Sequence, residues 1–583
     1  MIRLQSCPKG YTQDQDKALP PAETVARVKA SLAKSGLDVL AETRRIDTGR
    51  LGIPVFLSVC GQDARAVMPT RKQMGKGASP AQAEASALME LMERYSFFTF
   101  WAREENFPHA TWSEAESLAA PLSDAGAPLM DVRLILHSVA DDLDPATARR
   151  LLDLVRWRFV RATNIAAGTE VLTPLDWFKT LGEFNGSSAG NSHEESILQG
   201  ACELVERHVC ALVDRDRPTL PTIDPEHLMD PVLQDLYRRF SANGVRVLLK
   251  DFTLGMPAPT VAALAYDPAT FPQRSELVFT AGTATSPAKA AIRALTEVAQ
   301  LAGDFETGSV YEASGLPKFT SLEAAAWLQE GPLVRLETLP DLERPDIAEE
   351  LRLLADGLAR LGFPLHSVDT SHPDLSARAH FSFAPGLQFR ERDRHASLGL
   401  FVGRILAEQA DPDEAAVGLD VVEAAYPAAH FAPFFRGLLA LRLGETVEAL
   451  DRFESAEAVQ PDAESQALAA FYGAYARTLL EDWRGAEPAL DRAIALSPEV
   501  KEYFNLRGVA KFKQKRYEDA LADFRGALAL DNGSATDLAN LGVCLKHMGN
   551  TVEALERLSA ALELDPSLEF ARTHLESLLR EGS

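Results

Sequence analysis

Three times in this 583-residue sequence a glycine-bearing turn passes through a serine into a helix, and a glutamate falls eleven residues after that serine. The pairs are Ser79 and Glu90, Ser192 and Glu203, Ser286 and Glu297; three residues further on stand Glu93, Glu206 and Gln300. Ser79 before Pro80 has the form of a helix start. The hydroxyl can accept from a free amide of the first turn, and proline at the first helical position gives up no hydrogen bond. Spacings of four and three put Ser86, Glu90 and Glu93 on one helix face, and repeat for Gln199, Glu203 and Glu206. Apolar flanks (Leu88, Leu91, Met92; Leu198, Leu204, Val205) place these helices in a core, where carboxylates need cations or hydrogen-bond donors. A single glutamate reads more simply as part of a surface ion pair, as in Glu93-Arg94 or Glu206-Arg207, and Ser192 with Glu195 fits a capping box. Three in register predict acidic faces converging on one centre.

Oxygen-only clusters suit Mg2+, which usually arrives with phosphate. The turns Gly75-Lys76-Gly77-Ala78-Ser79 and Gly282 to Ser286 set glycines at helix N-termini, where free amides and the helix dipole favour anions. The sequence contains no GxxxxGK[ST], no dinucleotide fingerprint after an obvious strand and no HExxH. Gly186-Ser187-Ser188-Ala189-Gly190 matches GxSxG, but a nucleophile elbow needs a strand directly before the serine and a helix directly after. Trp177–Glu183 makes a poor strand and a turn is expected to follow, so Ser188 is not expected to be a hydrolytic nucleophile.

A formal charge of −25 and a pI near 5.0 speak against a nucleic-acid surface. The five cysteines form no CxxC pair and no zinc spacing, and read as reduced thiols. The first residues lack a signal-peptide core, and no run approaches 18 apolar residues. A cytoplasmic protein without membrane or nucleic-acid partners is expected.

Along the chain, a helix from about Pro20 to Leu32 and a strand at Val55–Cys60 precede the first acidic helix. Strands at Trp157–Ala162 and Glu170–Leu172 precede the second, and strands at Val245–Lys250 and Leu277–Thr280 precede the third. This irregular interleaving predicts an α+β domain over 1–410. The helix containing Arg404–Gln409 is expected to close it, with Asp411-Pro412-Asp413-Glu414 as the junction. Over 411–583 strand signals vanish and a repeat emerges: Ala486…Ala493…Pro498, Ala520…Ala527…Asn532, Ala554…Ala561…Pro566, 34 residues apart, with Gly437, Ala449 and Pro461 as an earlier unit. This resembles an all-α tetratricopeptide-repeat solenoid of four helix pairs, capped by Ser567–Leu579. Its concave face would suit a peptide or partner protein, or its apolar faces would pack on the first domain or a second copy.

The acidic motifs themselves resemble those of the YcaO family. They are S-x3-E-x2-E-R at Ser86, Glu90, Glu93 and Arg94; E-x7-E-x2-E-R at Glu195, Glu203, Glu206 and Arg207; and R-x3-E-x2-Q at Arg293, Glu297 and Gln300. Lys17 with Thr24, Lys76 in GKG, Asn185-Gly186 with Gly190-Asn191, and Val368-Asp369-Thr370 before Pro385-Gly386-Leu387 support the match. The resemblance implies ATP bound through Mg2+ ions held by Glu90, Glu93, Glu203, Glu206 and Glu297. It implies Arg94, Arg207 and Arg293 as cations that touch phosphate or orient the glutamates, and Lys17, Thr24, Lys76, Ser86, Ser188, Glu195 and Gln300 as nucleotide contacts. The implied reaction is phosphorylation of a peptide carbonyl oxygen after a thiol, hydroxyl or sulfide has added to the carbon. Azoline-forming members often end in a PxPxP tail, whereas this sequence ends Leu578-Leu579-Arg580-Glu581-Gly582-Ser583, and Leu301 follows Gln300 where arginine is frequent. Thioamide formation, azoline formation and an accessory role in methylthiolating a ribosomal protein therefore stay open, beside a non-catalytic ATP-sensing adaptor. The implied partners are a peptide or protein substrate, a sulfur donor or TfuA-like protein, and a second copy in a homodimer.

Overall fold

The computed structural model describes every residue except 48, 120–126, 303–304, 306–315, 391–394 and 582–583. It divides into two compact units, Met1–Arg149 with Arg156–Ala396, and Ser397–Ser583 with Arg150–Val155.

The first unit is α+β. After α1 (Pro21–Ser35), strands β1 (Leu40–Arg45), β2 (Val55–Cys60) and β3 (Lys72–Lys76) form an antiparallel sheet that feeds α2 (Pro80–Ala102), the first acidic helix. β4 (His109–Ala110), β5 (Trp157–Asn164), β6 (Thr169–Pro174) and β7 (Ser187–Gly190) lead to the second, α3 (His193–Asp216). β8 (Thr222–Ile223), β9 (Arg246–Asp251), β10 (Thr260–Tyr266) and β11 (Val278–Thr283) lead to the third, α4 (Pro287–Ala302). β12 (Leu333–Val334), α5 (Ile347–Arg360), β13 (His366–Asp369) and β14 (Arg378–Phe383) follow. One sheet has the order β4-β5-β13-β14-β7 with β6 on β5, and another the order β11-β10-β9-β8-β12.

Each acidic helix therefore follows a strand that it also packs against, and the packing is close enough to require glycine. A Cβ on Gly75 of β3 would lie 2.0 Å from the amide of Ala87, and one on Gly282 of β11 would lie 2.5 Å from the carbonyl of Ala290. The apolar faces fill separate cores: Leu88, Leu91 and Met92 with Val28, Val39 and Cys60; Ile197, Leu204 and Val205 with Phe279, Leu351 and Leu354; Ala291, Leu295 and Val298 with Leu233, Phe240 and Val261. Truncating one such leucine costs about 2–5 kcal/mol.

The second unit is the helical repeat. Its helix pairs are Ala432–Arg442 with Thr446–Val459, Ala463–Leu479 with Trp483–Leu496, Lys501–Lys513 with Tyr517–Leu530, and Ala535–His547 with Thr551–Leu564, followed by Glu569–Glu581. The repeated alanines, Ala486 through Ala561, are fully buried. A Cβ on Gly508 would meet the ring of Phe524 at 2.7 Å, the close approach that a small residue permits. One boundary differs from the sequence reading. The helix Leu398–Gln409 belongs to this unit, because Gly399 lies against the Tyr426 ring, Gly403 against Phe435, and Leu406 against Gly418. Asp411 is the N-cap of the next helix, accepting from the amide of Asp413 at 3.0 Å, and does not belong to a linker.

Candidate active site

The starts of the three acidic helices follow the sequence in part. Ser79 Oγ accepts from the Gln82 amide at 3.3 Å and Ser192 Oγ from the Glu195 amide at 3.1 Å, as N-caps do. Ser286 does not cap: its buried hydroxyl makes no hydrogen bond. The capping box at Ser192 is half formed, because the Glu195 carboxylate turns away from the cap. It accepts instead from the Ala18 amide at 2.8 Å and from Asn191 Nδ2 at 3.3 Å.

That turn ties an N-terminal loop over the helices. Tyr11 and Lys17 exchange backbone hydrogen bonds at 3.1 and 3.0 Å, and Asp14 at the tip accepts from the Ala78 amide at 2.7 Å. Lys289 of α4 donates to the carbonyls of Thr12 and Gln13. Lys9 bridges Asp16 at 2.9 Å and Glu350 at 2.6 Å; against the cost of burial, these carboxylates hold its ammonium above the usual range. Thr24, on α1, accepts from Asn191 Nδ2 at 3.0 Å.

Beneath the loop lies a cleft of about 860 Å3, counted to its open mouth. Lys17, Thr24, Lys76, Ser86, Glu90, Glu93, Glu195 and Arg293 line it. The remaining predicted acids stand just behind. Glu297 is ion-paired with Lys76, Glu203 Oε2 accepts from the Gly186 amide at 3.2 Å, and Glu206 Oε2 from the Thr283 amide at 2.9 Å. Arg94 lies 3.4 Å from Glu93 and over the Phe184 ring, Arg207 lies 3.7 Å from Glu203, and Arg293 donates to Gln199 at 3.1 Å. Two predicted contacts are not brought to the wall. Ser188 sits inside β7, which runs on to Gly190 before the bend at Asn191 and Ser192, and donates to the Ser196 carbonyl at 2.7 Å. Gln300 stands in the last turn of α4, outside the residues that line the cleft.

The charges are strained as they stand. Burial pushes the Glu93 carboxyl up to about 8, and Glu90 and Glu203 add to this against the pull of Arg94. Burial raises Glu90 as well. Burial, with Arg293 and Arg207 close by, pushes the Lys76 ammonium down to about 7, while Glu206 and Glu90 pull it back. Glu93 Oε1 is buried with the Arg94 guanidinium 3.4 Å away and no well-formed hydrogen bond. Buried carboxylate oxygens gathered in this way are what a hard divalent cation satisfies, so the donor set fits Mg2+. Lys76 and Arg293 at the same wall fit a polyphosphate.

Asp14, Gln15, Gln82, Gln199 and Thr296 also line the cleft. Gln199 and Thr296 could be found from their helical offsets to Glu203 and Arg293. Asp14 has no local signal, since its partner is 64 residues away.

Comparison with known proteins bears on the same stretch. The family model described as YcaO cyclodehydratase, ATP- and Mg2+-binding, matches residues 74–388, and tetratricopeptide-repeat models match 480–535 and 511–574. An uncharacterized protein of Methanothermobacter thermautotrophicus is 31% identical over 304 residues, covering 49% of this chain and 70% of that protein. A protein in the tfuA 3′ region of Rhizobium leguminosarum bv. trifolii is 26% identical over 429 residues, covering 68% and 94%. A heterocyclase solved in complex with substrate and cofactor superposes with a TM-score of 0.51 at 20% identity, covering 69% of this chain and 57% of that one, a likeness of fold.

Proposed function

This chain belongs to the YcaO family of ATP- and Mg2+-binding cyclodehydratases, and from that premise we propose that it activates a backbone amide of a peptide or protein by phosphorylating the carbonyl oxygen. The product would be a thioamide or an azoline. The observation that most supports this is the convergence of Glu90, Glu93 and Arg293 on one cleft, backed by Glu203, Glu206 and Glu297.

Bound ATP with Mg2+ supplies the phosphoryl group that turns a poor amide oxygen into a good leaving group. The five glutamates would hold the Mg2+. Backbone amides already fix one oxygen each of Glu203 and Glu206, so their free oxygens need little reorientation. Lys76 and Arg293 would meet phosphate oxygens, and Arg94 and Arg207 would orient the glutamates beside them. Lys17, Thr24, Ser86 and Glu195 would border the nucleotide. Ser188 and Gln300 take no direct part. The chain works as a cytoplasmic homodimer, and its repeats engage the protein substrate or a partner. A TfuA-like partner or sulfur donor is supported by the relative encoded in a tfuA 3′ region.

The test follows the carbonyl oxygen. Proteomes of cells carrying the intact protein or its Glu203→Gln variant are compared for a backbone that has lost water or exchanged oxygen for sulfur. The segment found is then synthesised with heavy oxygen at that carbonyl and incubated with enzyme, ATP and, where sulfur entered, sulfide. Heavy oxygen is expected in inorganic phosphate. Label that stays in the peptide or passes only to water sinks the proposal.

A further inference from the structure

Around the first turn of α3, Glu195 faces the acidic cleft while His193 lines a separate groove of about 1690 Å3, again counted to its open mouth, together with Cys7, Arg27, Asp369 and Arg378. At the edge of this groove three side chains from three elements meet. His193 begins α3, Asp369 ends β13, and His380 lies directly across from Asp369 on β14. His193 Nδ1 is 3.0 Å from His380 Nε2 and 3.9 Å from Asp369 Oδ2, and one donor atom from each residue falls within 4.8 Å of the others.

The surroundings fix how these groups point. Ser196 Oγ donates to the Ser188 carbonyl at 3.0 Å, which leaves it to accept from His380 Nδ1 at 2.9 Å. His380 is thereby set as the Nδ1–H tautomer, with the lone pair of Nε2 turned to the cluster, the arrangement a second ligand sphere imposes on a metal-binding histidine. Asp369 Oδ1 accepts from the Ser371 amide at 3.0 Å, leaving Oδ2 for the cluster. Two nitrogens bound tetrahedrally at 2.0–2.1 Å sit roughly 3.3 Å apart, so the observed pair needs only a few tenths of an ångström. His193 and Asp369 are partly exposed, and His380 is fully buried.

We propose that His193, Asp369 and His380 bind a divalent transition-metal ion of the zinc class, with a further coordination position open to the groove. Imidazole donors select such ions over Mg2+, and three protein ligands with an open position are the arrangement of zinc sites that act on a bound molecule. The carboxylate supplies the negative charge that the positive end of α3 makes necessary. The inference does not depend on the nucleotide reading.

The test uses tag-free, full-length protein stripped with chelator and titrated with Co2+ in excess Mg2+, so that oxygen-only sites are filled. One equivalent of Co2+ is expected to give the visible d–d bands of a low-coordinate nitrogen and oxygen site. His193→Ala and Asp369→Asn, both at partly exposed positions, should lose the bands while the circular dichroism spectrum and Mg-ATP affinity stay unchanged. Ser196→Ala should weaken Co2+ binding about 10- to 100-fold. Absence of the bands in the unaltered protein, or their survival in both the His193 and Asp369 variants, overturns the site and leaves a plain hydrogen-bonded chain from Ser196 to His193.

Discussion

Glu90→Gln and Glu203→Gln are each expected to abolish Mg2+-dependent ATP binding while leaving the protein folded. Glutamine has nearly the volume of glutamate, so the cores behind α2 and α3 are untouched. It keeps a carbonyl oxygen, so the Gly186 amide that donates to Glu203 retains an acceptor. What is lost is charge. Glu90 lines the cleft beside Glu93, and its carboxylate feels Arg94, Lys76 and Glu203 together. Removing one negative charge from such a set weakens its attraction for a divalent cation and leaves that cation short of a ligand. A fall of at least about 100-fold in affinity, about 2.7 kcal/mol, is expected by calorimetry with Mg2+ present. Circular dichroism should show unchanged helix content. Native affinity in both variants would remove these residues from the site.

Glu93→Gln should act on stability, with a sign set by pH. In the metal-free protein the Glu93 carboxyl is pushed from its usual 4.5 up to about 8, first by burial and then by Glu90 and Glu203. Between those values the folded state holds a proton that the unfolded chain has released. This group therefore makes the protein less stable as pH rises through that window. Glutamine has no proton to lose. The stability of the variant relative to the unaltered protein should rise between pH 5 and pH 8 by on the order of 3 kcal/mol. Taking the difference removes His366 and His380, which burial pushes down to about 4 and about 3 and which give the opposite slope at lower pH. Added Mg2+ at pH 8 should stabilise the unaltered protein and do little for the variant. Chemical denaturation across pH checks this, and a difference that does not change with pH contradicts it.

The parts of this molecule that were legible in its sequence are those written in local spacing. The offset of eleven residues from serine to glutamate survives as three helices because each helix starts on the strand–turn before it, and the glycines that permit this contact lie within a few residues of the cap. The repeats were legible for the same reason, since Gly508 and Ala520 belong to one helix pair. What escaped is written across long separations. Ser187–Gly190 is a strand only because it pairs with Arg378–Phe381, nearly two hundred residues on, and no window around the GxSxG match contains that partner. Glu195 follows the capping-box rule up to the backbone bond, then gives its carboxylate to Ala18, a donor 177 residues away. The junction at Asp411 misled in a different way, because an aspartate before proline marks a helix start as readily as a domain boundary. Only the contacts of Gly399 with Tyr426 and of Gly403 with Phe435 distinguish the two.

One Mg-nucleotide held between the three acidic helices should be visible in crystals grown with a non-hydrolysable ATP analogue and Mn2+. Anomalous scattering should place manganese against carboxylate oxygens from the set Glu90, Glu93, Glu203, Glu206 and Glu297, with the analogue's phosphates on Lys76 and Arg293. Manganese and nucleotide found elsewhere, with these carboxylates unligated, would contradict it.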